Sequence, residues 1–233
     1  MKNTMHTLQL IQAEECPFAQ RTHMCLLEKE LDFIRIEIEL DNKPEWFEEV
    51  SPYSKVPILK DGNVRVYEST IINEYIEEVF PEPSLLPGTP GERAAARTWI
   101  DFDNVRFVPT FYRLLLEQDL SGRQLLADRM IGNMEFLERH GFAQEWTGPY
   151  WFGEKISLVD LTMYPHYERM AVLDNYRDVR IPASCSRIRE WLAAMHERPS
   201  ARATAHDDAY HIAAYSQYAD GSASGSTARD MRI

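Results

Sequence analysis

The sequence predicts an α/β domain at the N-terminus followed by an all-helical domain. Over the first 80 residues, strand-like and helix-like segments alternate, whereas helical periodicity prevails from residue 92 onward. Between these regions, residues 81–91 contain four prolines and two glycines, a composition that excludes a regular helix or a central strand. We therefore expect domains at residues 1–80 and 92–219, a linker at 81–91, and a mobile tail rich in glycine, serine and alanine at 220–233.

The first domain is expected to have the order βαβ followed by ββα. Its strands are short runs of alternating or continuous apolar residues, and its helices carry apolar residues on one face. Asp61-Gly62-Asn63 separates the last two strands and is a hairpin signal, and Ser69 is placed to cap the last helix. In chain order, the predicted elements are a strand at 8–11, a helix from 16 to about 30, a strand at 33–38, a short helix at 44–50, strands at 56–60 and 64–67, and a helix at 70–79.

The second domain is expected to consist of helices. Ser157 and Asp160 have the spacing of a capping box, so a buried helix with a structural role should begin there and run to about Val172. Pro109 is expected to bend the first long helix, because proline lacks the N–H group of the helical hydrogen bond. The remaining predicted helices span residues 92–117, 123–139 and 188–195.

Composition excludes several classes of function. The formal net charge of −12 disfavours binding to nucleic acid or to an acidic membrane surface. No apolar run approaches the ~18 residues of a membrane-spanning helix. Three scattered cysteines indicate a reducing compartment, the cytoplasm, rather than a disulfide framework. The histidines and cysteines lack a zinc-like spacing and the glycines form no phosphate loop, so we expect neither a metal nor a nucleotide.

Cys16-Pro17-Phe18-Ala19 is the most informative motif of the chain. The strand–loop–helix order places Pro17 at the first helical position, where its missing N–H would be unpaired anyway. Cys16 then lies at the helix start, where unpaired amides and the helix dipole favour a negative charge, so a lowered pKa of its thiol is expected. The motif indicates a reactive thiol, and the alternative is a small buried cysteine without chemical function.

Tyr67-Glu68-Ser69 is a second candidate site, at the junction of a strand and a helix. The Ser69 hydroxyl and the nearby amides suit a carboxylate, and Glu68 suits an ammonium group. Together they match an α-amino-acid head group. The alternative for Ser69 is an ordinary helix N-cap.

These motifs carry two resemblances to known proteins. With Val56-Pro57 before the third strand, the first domain resembles the thioredoxin fold, in which a cis-proline at this place faces the thiol. Across both domains, the chain resembles the cytosolic glutathione transferases, specifically the omega class and its bacterial relatives. The residues that carry this resemblance are Cys16-Pro17-Phe18-Ala19-Gln20-Arg21, Asn42-Lys43-Pro44-Glu45-Trp46-Phe47, Val56-Pro57, Tyr67-Glu68-Ser69, Ser157 with Asp160, and Tyr167-Glu168-Arg169.

The resemblance implies a glutathione site built around Cys16, which would form a mixed disulfide with glutathione. Val56 would pair its backbone with the cysteinyl part, Glu68 and Ser69 would hold the γ-glutamyl group, and Lys43 would meet the glycine carboxylate. Lys55 stands where the family has an apolar residue, and we interpret it as a solvated lysine. The implied glutathione-binding residues are Phe18, Lys43, Val56, Pro57, Glu68 and Ser69.

The resemblance also implies a co-substrate pocket between the two domains. Its candidate residues are three aromatic side chains and an arginine on predicted helices: Phe111, Tyr112, Tyr164 and Arg169. The alternative is that the aromatic residues belong to the core and that Arg169 forms a structural ion pair.

Taken with the resemblance, the motifs predict an enzyme. A cysteine in this place takes glutathione off a disulfide or a thioether, and Ala19 leaves only a monothiol route. We therefore expect a thioltransferase, a dehydroascorbate reductase or a lyase of aromatic glutathione thioethers, with glutathione and a small hydrophobic conjugate or disulfide as partners, in a homodimer. The alternatives are a conjugating transferase, or a non-catalytic binding or regulatory protein of the same fold, like the chloride intracellular channel and stringent starvation proteins.

Overall fold

The computed structural model describes residues 7–40, 42–142 and 147–232. The chain divides into two compact units, Met1–Ser84 and Leu85–Ile233. This division falls inside the segment 81–91, which the sequence predicts as a linker. Leu85 is buried and its carbonyl accepts a hydrogen bond from the Leu158 N–H at 2.8 Å, so the second half of that segment packs with the helical unit.

The first unit is a four-stranded mixed sheet with helices, in the predicted βαβ–ββα order. The strands lie in the order β2-β1-β3-β4, with β1 and β2 parallel and the other pairs antiparallel. This arrangement confirms the thioredoxin-like first domain. Its elements are β1 (Leu8–Gln12), α1 (Pro17–Glu28), β2 (Phe33–Glu37), α2 (Phe47–Val50), β3 (Ile58–Asp61), β4 (Val64–Tyr67) and α3 (Ser69–Val79).

The core of this unit lies on the two central strands. Leu10 on β1 and Ile58 and Leu59 on β3 have no exposed surface, and both strands are internal in the sheet. Ile72 and Ile76 on α3 are also fully buried, and they are four residues apart on one face of the helix. The apolar spacing read from the sequence therefore identifies the inner face of α3.

Helix α1 is buried on nearly all sides, which differs from the amphipathic helix that the sequence predicts. Every residue from Ala19 to Leu26 is buried, and one of the elements that covers α1 is α3, which packs against it. At the end of the helix, the buried Lys29 ammonium bonds to a Glu77 carboxylate oxygen at 2.5 Å and to the Phe80 and Pro83 carbonyls, each at 2.7 Å. Each of the three N–H groups of the ammonium thus has an acceptor, and these bonds hold the end of α1 against the end of α3.

The second unit is helical throughout its described residues. Its core is built from large apolar side chains with no exposed surface, such as Phe107, Phe111 and Leu161. The helices are α4 (Pro90–Phe102), α5 (Val108–Leu116), α6 (Leu120–His140), α7 (Leu158–Glu168), α8 (Met170–Arg177), α9 (Ser186–Glu197), α10 (Pro199–Thr204), α11 (Asp208–Ala214), α12 (Ser216–Ala219) and α13 (Ser226–Met231).

The long helix predicted at 92–117 is interrupted. A π-helical segment at Asp103–Phe107 joins α4 to α5, and the Val108 N–H bonds to the Asp103 carbonyl five residues earlier. Pro109 follows directly and has no N–H to donate. The wider π-helical turn therefore lies next to a position where one helical hydrogen bond is missing. The helix also begins earlier than predicted, because Thr89 and Glu92 form a capping box that the sequence reasoning missed.

The predicted capping box at the start of α7 is present. Asp160 accepts hydrogen bonds from the Ser157 N–H (2.8 Å) and hydroxyl (2.6 Å), and also from the Trp151 N–H and the Trp191 indole N–H, both at 2.8 Å. Burial raises the pKa of this carboxyl, and the bonds it accepts oppose the shift. The helix ends before the predicted Val172, because Arg169 leaves the helical conformation with ψ at 12°.

The expected mobile tail at 220–233 is folded over its described part. Helix α13 packs against α5, with Ala228 fully buried. The Arg113 side chain donates to the Met231 carbonyl at 3.3 Å, and the Arg232 side chain donates to the Gly221 carbonyl at 2.7 Å. The small residues of this tail allow close packing. A composition rich in glycine, serine and alanine is therefore compatible with a packed tail as well as with the mobile one that we expected.

We predict that Asp160→Asn destabilises the protein more than a change in the exposed capping box of α4. The amide can accept on one oxygen only, and its NH₂ group faces buried donors, so the loss should be about 3 kcal/mol, or about 6–12 °C in melting temperature. Thr89→Ala should lower the melting temperature by about 2–4 °C. Thermal unfolding followed by circular dichroism measures both, and equal losses in the two variants would contradict the role assigned to Asp160.

Candidate active site

Cys16 occupies the N-cap of α1, directly before Pro17. Its extended backbone (φ −82°, ψ 115°) leads the chain out of a turn in which the Cys16 N–H donates to the Ala13 carbonyl at 3.1 Å. The Cys16 carbonyl accepts the first helical hydrogen bond, from the Gln20 N–H at 3.0 Å. The helix start predicted from Pro17 is therefore present, and it holds a thiol that is partly exposed.

The Cys16 thiol faces the backbone that leads into β3. Its Sγ donates to the Val56 carbonyl over 3.9 Å, and the Val56–Pro57 peptide bond is cis, as the resemblance to the thioredoxin fold implies. Cys16 also packs against an apolar cluster. The buried members of that cluster are Ile11, Ala13, Ile38, Phe47, Val56 and Ile58. The thiol thus has apolar side chains on one side, a backbone acceptor next to it, and a part of its surface open to a ligand.

The two other cysteines have different surroundings. Cys25 and Cys185 have no exposed surface. Burial raises the pKa of the Cys25 thiol strongly, and burial together with the charge of Glu138 raises the pKa of Cys185. Both thiols therefore stay protonated near neutral pH, and only Cys16 combines access with a place at a helix start.

Glu68 and Ser69 form the junction between β4 and α3. Glu68 is exposed and has a positive φ of 71°, a conformation that a residue with a side chain rarely adopts. This turn makes Glu68 the N-cap and Ser69 the first helical residue, so α3 begins one residue earlier than the sequence predicts. Ser69 is 5% exposed as a residue, and its hydroxyl accepts a hydrogen bond from the Arg21 guanidinium at 3.4 Å.

Sequence reasoning gave Arg21 no role at the site. Arg21 is 1% exposed, and its Cζ lies 5.0 Å from the centre of the Phe18 ring. It therefore connects Phe18 on α1 to Ser69 on α3. Phe18 and Arg21 lie three residues apart and share a face of α1, but that spacing does not show that α3 covers the face.

Lys43 and the backbone of Lys55 make hydrogen bonds in the loop before Val56. The Lys43 ammonium donates to the Ser54 carbonyl at 2.8 Å and to the Ser54 hydroxyl at 3.2 Å. The Lys55 N–H donates to the Ser51 hydroxyl at 2.8 Å, and that hydroxyl donates to the Lys55 carbonyl at 2.7 Å. Lys43 thus supports the loop that carries Val56, and its contact with a glycine carboxylate stays a prediction.

The four residues expected to line a co-substrate pocket are in the interior of the helical unit. Phe111, Tyr164 and Arg169 have no exposed surface, and Tyr112 is 2% exposed. The Tyr112 and Tyr215 hydroxyls are 3.2 Å apart, the Tyr164 hydroxyl donates to Glu168 at 3.1 Å, and Arg169 pairs with Glu168 at 3.1 Å. Side chains enclosed in this way offer no surface to a second substrate.

Family models connect these observations to known proteins. A model of the glutathione S-transferase N-terminal domain matches residues 15–79, and a model of the glutathione S-transferase C-terminal domain matches residues 105–194. The chain belongs to the glutathione S-transferase family. Both matches fall on the units described above, and the first begins at the loop that carries Cys16.

Curated relatives of this glutathione S-transferase cover most of its length. Glutathione S-transferase DHAR2 of Arabidopsis thaliana is 33% identical over 80% of this chain and 82% of that protein. Glutathione S-transferase omega-1 of Sus scrofa is 30% identical over 81% of this chain and 76% of that protein. The omega-class resemblance is confirmed, and at family level the chain is a transferase or oxidoreductase that uses glutathione.

Solved structures agree with this assignment. Glutathione transferase Omega 3C from Trametes versicolor has a TM-score of 0.81 and 30% identity, covering 91% of this chain and 89% of that chain. Dehydroascorbate reductase from Chlamydomonas reinhardtii has a TM-score of 0.74 at 20% identity, covering 93% and 100% of the two chains, and shows the shared fold.

Within residues 7–40, 42–142 and 147–232, no group of three or more histidine, cysteine, aspartate or glutamate side chains could hold a metal ion. Among the helices formed by those same residues, none has the length and apolar character needed to cross a membrane.

We predict that iodoacetamide near neutral pH modifies Cys16 and leaves Cys25 and Cys185 unmodified. The thiolate is the nucleophile, and the two buried thiols are both enclosed and protonated. Intact-protein mass should rise by one adduct per chain, and peptide mapping should place that adduct on Cys16. In denaturant, all three thiols should react. Faster labelling of Cys185 than of Cys16 in the folded protein would contradict the assignment.

We predict that Glu68→Gly is more stable than Glu68→Ala by about 1 kcal/mol, because glycine adopts the positive φ of this position without a steric penalty. Glu78 provides a matched control, since it is exposed within α3. There, the glycine variant should be less stable than the alanine variant by about 1 kcal/mol. Urea unfolding measures both pairs, and the same order of stability at the two positions would contradict a strained Glu68.

Proposed function

We propose that this protein is a cysteine-type glutathione transferase that acts through a mixed disulfide between Cys16 and glutathione. Its reactions would be glutathione-dependent thiol transfer or reductive deglutathionylation. The observation that carries the proposal is the partly exposed Cys16 thiol at the N-cap of α1, 3.9 Å from the Val56 carbonyl. Ala19 stands three residues later, where a dithiol motif has its second cysteine.

In the first step, the Cys16 thiolate attacks the sulfur of the glutathionyl group. A new S–S bond forms between Cys16 and glutathione, and the bond from that sulfur to its other substituent breaks. From a disulfide, the leaving group is a thiolate. From an α-keto thioether, it is an enolate, which takes a proton from water to give the ketone. The positive end of the α1 dipole would favour negative charge on Cys16 before the attack.

In the second step, free glutathione releases the enzyme. A glutathione thiolate attacks the glutathionyl sulfur of the mixed disulfide, forms oxidised glutathione, and returns Cys16 as a thiolate. Because Ala19 cannot attack the mixed disulfide and the other two cysteines are buried, the reductant must come from solution. Each turnover therefore consumes one further glutathione molecule.

The contacts of the first unit supply groups for binding glutathione. Val56 presents a backbone acceptor at the thiol, which suits the amide of the cysteinyl residue. Ser69 and the first amides of α3 suit the γ-glutamyl carboxylate, and Glu68 suits its ammonium group. Phe18 and Pro57 would add apolar surface. Lys43, which donates to Ser54, would place a positive charge near the glycine carboxylate.

For the second substrate, we propose classes of compound rather than a single molecule. Disulfides and aromatic glutathione thioethers carry the glutathionyl sulfur that Cys16 attacks. Dehydroascorbate carries none, so with this acceptor the Cys16 thiolate would add to a carbonyl carbon. A glutathione thiolate would then attack the Cys16 sulfur, form the mixed disulfide and release ascorbate with the electron pair of the broken C–S bond. The names of the relatives support dehydroascorbate and omega-type reactions at family level. A homodimer in the cytoplasm is our proposal for the assembly and its location, and the mass of the protein in solution tests the first part.

We predict that Cys16→Ser abolishes glutathione removal from S-phenacylglutathione. Wild-type protein should gain one glutathionyl group and release acetophenone, and the variant should lose at least about a hundredfold in rate because it lacks the nucleophile. Intact-protein mass and chromatographic detection of the ketone measure the two products. Cys25→Ala is the matched control, since it removes a buried thiol of the same helix and should keep the rate within about twofold.

Other outcomes of this experiment distinguish the alternatives. If the thioether leaves both proteins unmodified while a glutathione disulfide modifies wild type alone, the thioether branch is wrong and the disulfide branch is supported. If neither substrate modifies Cys16 but the protein conjugates glutathione to an electrophile, the conjugating alternative replaces the proposal. Retention on immobilised glutathione without any turnover would favour a binding protein.

A further inference from the structure

A buried positive charge lies directly behind the serine that begins α3. Arg21 is 1% exposed, and its guanidinium carries a positive charge. It donates to the Ser69 hydroxyl oxygen at 3.4 Å and stacks 5.0 Å from the centre of the Phe18 ring. The charge is therefore enclosed between two residues that the proposed function assigns to glutathione binding.

The bond from Arg21 determines how the Ser69 hydroxyl acts. A hydroxyl donates one hydrogen and accepts through its lone pairs, whereas a guanidinium only donates. The Ser69 oxygen therefore accepts on the side of Arg21, and its own hydrogen is directed to another group. Hydrogen bonds that involve an ionised partner are stronger, and a chain of bonds polarises its members. An anionic acceptor at Ser69 is thus favoured over a neutral one.

We propose that Arg21 is a positioning residue that makes this site selective for the α-carboxylate of the γ-glutamyl group, acting through Ser69. The proposal rests on the proposed function, in which Glu68 and Ser69 hold that group. Arg21 supplies the positive potential behind Ser69, and the exposed Glu68 supplies an acceptor for the adjacent ammonium. The two charges, at neighbouring positions, select a zwitterionic amino-acid head group.

The alternative to this proposal is a purely structural role for Arg21. The Arg21 carbonyl accepts from the Asn73 side chain at 3.3 Å, so this residue also helps to hold α1 against α3. Lys29 does the same at the other end of the two helices, through its 2.5 Å contact with Glu77. Lys29→Met is therefore the matched control, because it removes a buried cation between α1 and α3 without removing the one that contacts Ser69.

The experiment compares two ligands by titration calorimetry: S-methylglutathione and its analogue that lacks the α-carboxylate. The S-methyl group prevents disulfide formation at Cys16, so only binding is measured. Wild type should prefer the carboxylate ligand by roughly 10- to 100-fold, the range expected for a hydrogen bond to a charged group. Arg21→Met should reduce the preference to about threefold or less, and Lys29→Met should leave it unchanged even if the protein is less stable.

Two further variants keep the test decisive if Arg21→Met does not fold. Arg21→Lys retains the charge without the planar group and should keep an intermediate preference. Ser69→Ala should remove the same preference, and adding Arg21→Lys to it should change the ratio no further, because the two residues act through one contact.

The failures of the two proposals are distinguishable. If every variant weakens both ligands equally and the preference is kept, Arg21 is structural and the inference is wrong while glutathione binding stands. If wild type prefers neither ligand, the carboxylate selectivity itself is absent and the inference is overturned. If wild type binds neither ligand at all, both the inference and the proposed glutathione site are wrong.

Discussion

The packing of α1 against α3 is the constraint on which the candidate site depends. Helix α1 is buried on nearly all sides, and its two cations are enclosed with it, Lys29 against Glu77 and Arg21 against Ser69. A buried charge that loses its partner is strongly destabilising, so these contacts fix the position of α1 along α3. That position in turn sets the start of the helix, where Cys16 meets the loop before β3.

The parts of the site that the sequence predicted are those determined by local backbone chemistry. Pro17 can begin a helix and cannot continue one from an earlier start, so it locates Cys16 at the N-cap. Val56-Pro57 identified the loop that faces the thiol through the resemblance of the domain to the thioredoxin fold. The start of α3 was predicted one residue late, because the positive φ that makes Glu68 the N-cap has no signal in the propensity of glutamate.

The parts that could not be predicted depend on what surrounds a side chain. Helical spacing shows that Phe111 and Tyr164 lie on apolar faces, but the spacing is the same for a core and for a pocket wall. The two capping boxes have similar sequences, yet Thr89 and Glu92 are exposed while Asp160 is fully enclosed by donors from three segments. Burial of Arg21 depends likewise on α3, which lies far along the chain.

The burial of two cysteines has a consequence for how the protein exchanges electrons. Along α1, the rise of ~1.5 Å per residue separates Cys16 from Cys25 by ~13 Å, well beyond the reach of a disulfide. Cys185 is enclosed in the helical unit. A folded chain with one accessible thiol cannot release an electron pair by closing an internal disulfide. The oxidation state of Cys16 is therefore set by the thiols and disulfides in the surrounding solution.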